Sequence, residues 1–330
     1  MREALLVFNS KGIYCPPADV YIDAWRPVEK AIISHGHADH SRYGHGSYIT
    51  HRLNVPIIQH RLGDIQVKGM EWGESFIINN VKFSLHPAGH IIGSSQVRVE
   101  YKGEVWVYTG DFKTEDDGIS EAFTPIKCDC LITECTFGLP VFKWQPQQDI
   151  FDQINNWWLD NQNNKMTSVI LGYSLGKAQR ILKYLDTSLG KIYTHAAIEN
   201  MTDVLRQHHV FPETHRITRD TKKQDLIGNI VIAPPSAQGS PWIRKMVPYV
   251  TGSASGWMST RGARRRRAID KGFVLSDHAD WDGLLSAIKA TECEKVICTH
   301  GYMDIFSKYL RTLGYDARTE QTQFEEEEMD

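Results

Sequence analysis

Six consecutive residues, His35-Gly36-His37-Ala38-Asp39-His40, carry three imidazoles and a carboxylate directly after the run Lys30-Ala31-Ile32-Ile33-Ser34. Burying so many polar side chains together is costly unless a cation compensates them, and neutral imidazole with carboxylate oxygen is the donor set zinc favours. A solvated histidine-rich turn would need no metal. The ligand-type residues farther along the chain speak against that bland reading, because they share one rule: each lies just past a short β-type run. His90 follows the run at 81–89, Asp111 that at 105–110, Glu134 that at 130–133, His278 that at 272–277 and His300 that at 295–299. If these runs are strands ending at one edge of packed sheets, residues far apart in sequence converge there.

Such donors suit a dinuclear hydrolytic centre holding two divalent ions, zinc first, with manganese able to take the same ligands. We assign His35, His37 and His90 to one ion, Asp39, His40 and His300 to the other, and Asp111 as the carboxylate shared by both. His278 is left over beside the site. Oriented by a carboxylate such as Glu134, it suits a general acid that protonates the leaving oxygen of a cleaved phosphodiester; a ligand role for His278 stays open.

Two further stretches point to phosphate. At 172–180 the sequence GYSLGKAQR runs from an apolar strand through a glycine turn into a helix, so Ser174, Gly176 and Lys177 are expected to offer N–H groups, a hydroxyl and a charge to an anion. The stretch lacks P-loop spacing, and a glycine turn with a surface lysine is the plainer alternative. Residues 261–267 hold five arginines, of which Arg264, Arg265, Arg266 and Arg267 are expected to contact a phosphate backbone; the alternative is a solvated helix face. Tyr173, Trp257 and Trp281 could stack on bases, but residues of this type are more often core.

The elements that must position these residues change character along the chain. Short strands and hairpin turns dominate up to about residue 140; helices alternate with strands over 141–268; strands carrying His278 and His300 return over 269–320; residues 321–330 read as an acidic disordered tail. The middle therefore looks inserted into the first domain. With 330 residues and 41% hydrophobic content the chain can build its core without staples, and its six cysteines show no paired spacing that suggests a disulfide framework or a zinc knuckle. No apolar run approaches a bilayer span and the N-terminal stretch is too short for a secretory signal, so a cytoplasmic protein without membrane contact is expected. The formal charge of −3 becomes +2 once the five acids of the last ten residues are set aside, leaving a slightly basic body.

HGHADH at 35–40, AGHIIGSS at 88–95 and YTGDFK at 108–113 resemble the motifs of the metallo-β-lactamase fold. LITECTFG at 131–138, SDHAD at 276–280 and THG at 299–301 resemble the three additional motifs of its β-CASP nuclease branch. The resemblance implies an α/β protein, an αββα sandwich with an inserted α/β cap domain, and matches Glu134, His278 and His300 to the three branch motifs. GYSLGKAQR, the stretch 256–267 and VLSDHADWDGLL at 274–285 are similar to a bacterial group of DNA-ligase-associated exonucleases. That group resembles the DNA-repair nucleases Artemis and Apollo and is confused with mRNA 3′-end-processing factors. What this implies is a zinc-dependent exodeoxyribonuclease directed to 5′ ends in DNA repair, with DNA as partner and a DNA ligase and helicase as associates. One feature favours RNA instead: in eukaryotic relatives a histidine at the third motif accompanies RNA cleavage, and here that residue is His300. A small-molecule hydrolase would share the histidine cluster but need neither the arginine run nor the insertion.

Overall fold

The computed structural model describes residues 4–260 and 269–324. They form two compact units, residues 4–143 with 278–324 and residues 144–277. In the first unit, strands β1 (Val7–Asn9), β2 (Gly12–Cys15), β3 (Val20–Ile22), β4 (Lys30–Ile32), β5 (Ser47–His51) and β6 (Val67–Met70) form one sheet in chain order, with helix α1 (Val55–Leu62) between the last two. A second sheet begins with β7 (Ser75–Ile78), β8 (Val81–Pro87), β9 (Ser95–Tyr101), β10 (Glu104–Tyr108) and β11 (Cys130–Cys135). Tight turns join the antiparallel members: Asn79 and Asn80 both take positive φ, as do Lys102 and Gly103, which is the backbone twist that two-residue hairpins require.

The chain then enters the second unit, where helix α2 (Gln147–Asn163) precedes β12 (Thr167–Leu171), α3 (Lys177–Tyr184), β13 (Ile192–Thr194), α4 (Ala196–Leu205), β14 (His215–Arg216), β15 (Ile230–Ala233), β16 (Tyr249–Ala254) and β17 (Lys271–Phe273). All six strands run parallel in the order β14-β13-β15-β12-β16-β17. Alternate strand residues feed two cores. Ile170, Ile230 and Ile232 pack with Trp158 of α2 and Ile181 of α3, while Val169, Leu171 and Val231 pack with Leu226, Ile243 and Met246 on the other face.

Back in the first unit, helix α5 (Trp281–Thr291), β18 (Lys295–Gly301), helix α6 (Met303–Thr312) and β19 (Asp316–Thr319) complete the second sheet, whose order is β19-β18-β11-β10-β9-β8-β7. The period of two decides the layers. Trp106, Tyr108 and Ile132 face the first sheet's Ile13, Val20 and Ile32; Val107, Leu131 and Val296 face Leu284, Ile288 and Phe306 of the two late helices. Helix α1 covers the outer face of the first sheet through Ile58. The unit is thus helix, sheet, sheet, helix.

The return to the first unit comes at His278 and not at 269, because Lys271, Gly272 and Phe273 pair with Gly252, Ser253 and Ala254 in the second unit's sheet. Near the start of the acidic stretch read as a tail, Phe324 stacks on the His40 imidazole at 4.1 Å between centroids and meets Trp25 edge-on. Among the described residues no helix is long and apolar enough to cross a membrane.

Candidate metal centre

The candidate ligands lie where strands of the first unit stop. His35, His37, Asp39 and His40 follow β4, His90 follows β8, and Asp111 follows β10. Gly110 makes the last approach feasible: its φ is +57°, and a Cβ there would sit 2.9 Å from the Ser34 Cβ. Any other residue would push Asp111 away from the segment bearing His35.

Asp111 is the hub of the cluster. Its Oδ2 lies 3.4 Å from His40 Nε2, 3.5 Å from His35 Nε2 and 3.8 Å from His90 Nε2. Asp39 Oδ2 reaches His40 Nε2 at 3.3 Å, and His37 Nδ1 lies 3.1 Å from His90 Nε2. Ligand atoms of His35, His37, His90 and Asp111 all fall within 4.8 Å of one another. His35 Nε2 and His40 Nε2 are buried with no hydrogen-bond partner. Inward-facing imidazole nitrogens left unsatisfied in a converging set of carboxylates fit a divalent cation, which would take up their lone pairs.

The electrostatics without a cation are strained in a consistent direction. Burial and the charge on His40 hold His35 well below the usual imidazole range. Burial also opposes charge on His40, but Asp39 and Asp111 outweigh it and lift His40 well above that range. Asp111 stays well below the carboxylate range despite its burial, because His40 and the other imidazoles surround it, and Asp39 is held at about 2 for the same reason. A divalent cation held among these side chains would relieve the same carboxylates that lift His40.

A residue the sequence reading missed completes the set. Asp23, fully buried at the end of β3, accepts from the Ser34 N–H at 2.7 Å and from Tyr108 Oη at 3.0 Å, and lies 2.8 Å from His40 Nδ1. Ser34 Oγ bonds Asp23 and lies 3.0 Å from His35 Nδ1. One carboxylate therefore orients two candidate ligands, His40 directly and His35 through a hydroxyl. The rule that found the others would have found it, since Val20-Tyr21-Ile22 is a short apolar strand with an acid directly after it.

Glu134 and His278 are also brought together, with Oε1 and Nδ1 2.8 Å apart and both side chains buried. Glu134 Oε1 further accepts from the Phe112 N–H at 2.8 Å, and Oε2 accepts from the Thr136 hydroxyl. Asp111, Glu134 and His278 offer atoms within 4.8 Å of one another, so the pair adjoins the histidine cluster. His300 is buried in β18 with φ +55°, beside β11, where Cys135 Sγ donates to its carbonyl. It belongs to none of the close ligand triples among the described residues, so its expected place on the second ion is not visible in side-chain contacts.

The expected phosphate turn is used differently. Lys177 is fully buried and its ammonium pairs with Asp277 at 3.3 Å, while the Gly176 N–H donates to Gln179 Oε1 and the Gln179 amide returns to the Ser174 carbonyl. The turn closes on itself within the second unit, and its charge is committed internally. Ser174, Gly176 and Lys177, expected to offer groups to an anion, make these contacts inside the second unit. Trp281 packs against Phe306 and Tyr309 as core. Arg264, Arg265, Arg266 and Arg267 lie outside the described residues.

No family model matches the chain. It is similar to the "Probable DNA ligase" of Opitutus terrae, 30% identical over 319 residues that cover 93% of this chain and 30% of that protein. It is also similar to the "RNase J-like protein" of Methanocaldococcus jannaschii, 26% identical over 215 residues, 61% of this chain and 46% of that one. A crystal structure of a protein of unknown function from Enterococcus faecalis V583 matches with a TM-score of 0.63 over 90% of this chain and 80% of that chain, at 14% identity, a likeness of fold alone. The chain spans less than half the length of these curated relatives.

Proposed function

The chain belongs to the β-CASP branch of the metallo-β-lactamase family, and from that premise we propose that it hydrolyses phosphodiester bonds in DNA with two divalent metal ions, zinc first, as an exonuclease directed to 5′ ends. The observation that carries this reading is the buried convergence of His35, His37, His40, His90 and Asp111, with two imidazole nitrogens left without hydrogen bonds, directly beside the His278–Glu134 pair. In this reading His35, His37 and His90 hold one ion, Asp39, His40 and His300 the other, and Asp111 both. The chemistry such ions supply when bound is Lewis-acid polarisation of a phosphoryl oxygen and acidification of water.

The protein's own residues do the remaining work. Glu134, anchored by the Phe112 N–H, engages His278 Nδ1 and orients the ring, and Nε2 is assigned the proton that goes to the leaving oxygen of the cleaved ester. Asp23 keeps His40 and His35 turned toward Asp111. Arg264 to Arg267 are assigned to the polyanion backbone by their charge density alone. The second unit takes the part of the β-CASP cap, and a DNA ligase is the partner class suggested by a ligase-named relative that is similar over nearly the whole of this chain; a helicase associate rests on the motif resemblance alone.

Cleavage of RNA is the second reading, favoured by His300 and by the ribonuclease-named relative. One assay separates the two: metal-loaded protein is given end-labelled single- and double-stranded DNA and RNA, linear and covalently closed, with zinc or manganese. The DNA exonuclease reading expects stepwise shortening of linear DNA from the 5′ end and intact circles. Faster cleavage of RNA would replace the substrate, cleavage of circles would replace the end-directed mode, and no cleavage of any polymer would end the nuclease proposal.

A further inference from the structure

Three ionic side chains are buried together in the second unit, two of one sign and one of the other. Lys177 and Arg180, one turn apart on α3, are 0% and 2% exposed, and Asp277 is 2% exposed. Lys177 Nζ lies 3.3 Å from Asp277 Oδ2, and Arg180 Nη1 lies 3.3 Å from Oδ1. Arg180 Nη1 also donates to the Ser276 carbonyl at 2.6 Å, while Nε and Nη2 donate to Gln147 Oε1 at 3.1 and 3.0 Å. Burying two cations on one carboxylate is expensive compared with apolar packing, and buried ionic clusters are best understood where they impose one geometry.

The geometry imposed here concerns the two residues that immediately precede His278. Arg180 holds the carbonyl of Ser276 and, with Lys177, the carboxylate of Asp277. The chain leaves the second unit at that point, and the next residue, His278, is the first of the returning segment. On that side Glu134 takes the imidazole and the Ala279 N–H donates to the Phe112 carbonyl at 2.7 Å. The main chain at His278 is therefore pinned upstream by α3 and downstream by the Phe112 strand end, with one peptide between the two anchors.

We propose that Lys177 and Arg180 are positioning residues for His278, acting through Asp277 and Ser276 to set the backbone from which the imidazole delivers its proton. The proposal rests on the reading of His278 as a general acid. Displacement of a catalytic group by about 1 Å can cost about a hundredfold in rate, so a loosened anchor acts on turnover before it acts on binding.

The test compares two substrates in the metal-loaded full chain: a DNA oligonucleotide, whose leaving alkoxide needs a proton, and bis(4-nitrophenyl) phosphate, whose leaving phenolate does not. Arg180→Met is expected to lower kcat on the oligonucleotide about ten- to a hundredfold, leaving KM and the activated diester within about threefold of the parent. Arg180→Lys, which retains one charged donor, should recover part of the loss. In a His278→Ala background Arg180→Met should cost nothing further, since both act on one step. Equal losses on the two substrates, additive losses in the double variant, or no loss on the oligonucleotide would each overturn the proposal. If Arg180→Met does not fold, Arg180→Lys and Asp277→Asn carry the same comparison. His278→Ala alone separates the two ideas: if it slows both substrates equally, the general-acid reading itself falls, whereas selective loss there without selective loss at Arg180 removes only the positioning role.

Discussion

Glu134 Oε1 lies 2.8 Å from His278 Nδ1 and 2.8 Å from the Phe112 backbone nitrogen, so one carboxylate oxygen serves an imidazole 144 residues away and the peptide next to Asp111. A carboxylate accepts both bonds; an amide at this position cannot satisfy them with a single oxygen as firmly.

Glu134→Gln should therefore disturb the tautomer and tilt of His278 while leaving the histidine cluster in place. The expected result is a fall in oligonucleotide turnover of about tenfold or more with metal content unchanged. Elemental analysis beside the kinetics decides it: loss of a metal equivalent would place Glu134 among the ligands instead.

Asp111 faces three imidazoles, and its replacement touches both halves of the cluster. Asp111→Asn should bring cleavage below detection and release at least one metal equivalent on gel filtration. A variant that keeps both its metal and its activity would refute the shared-carboxylate assignment.

Asp23 lies outside the seven assigned ligands but within reach of His35 and His40, and it orients His40 directly and His35 through Ser34. Asp23→Asn is expected to weaken metal binding about ten- to a hundredfold, as measured by competition with a chromophoric chelator. Tyr108→Phe, which removes one of several bonds to the same carboxylate, should cost less. Unchanged affinity in both would reduce Asp23 to a structural anchor.

His51 supplies a pH prediction away from the cluster. Its ring is buried and stacked on Trp72 at 3.4 Å, and burial, with Arg52 adding to it, lowers its pKa from 6.5 to about 4. The unfolded chain takes up a proton there that the folded chain refuses, so stability is complete above the unfolded value and declines as pH falls from about 6.5 to about 4. Urea unfolding of the metal-free protein across that window should show a shallower pH dependence in His51→Gln. An identical slope in the two proteins would mean His51 is not responsible.

Much of this protein is written locally. The hairpins follow from Asn79-Asn80 and from Gly103, whose residue types accept positive φ, and the two core layers follow from alternation along β10 and β11. The candidate ligands were legible because an acid or histidine just past a short apolar strand is a chemical signal that needs no partner to be seen. The same signal at Asp23 was passed over because a single acid, unlike a cluster of histidines, is common at strand ends.

The rest depended on which distant groups meet. Lys177 reads as a phosphate ligand from its glycine turn, and its pairing with Asp277, a hundred residues later, is a contact no local pattern announces. The segment before His278 reads as part of the returning domain, yet Phe273 fits the apolar pocket of the second unit, and the boundary moves with it. Residue type determines what a side chain can bind, and that is visible in one dimension. Which of its available partners it binds is decided by burial, because a charge removed from water must take the nearest compensating group the fold provides.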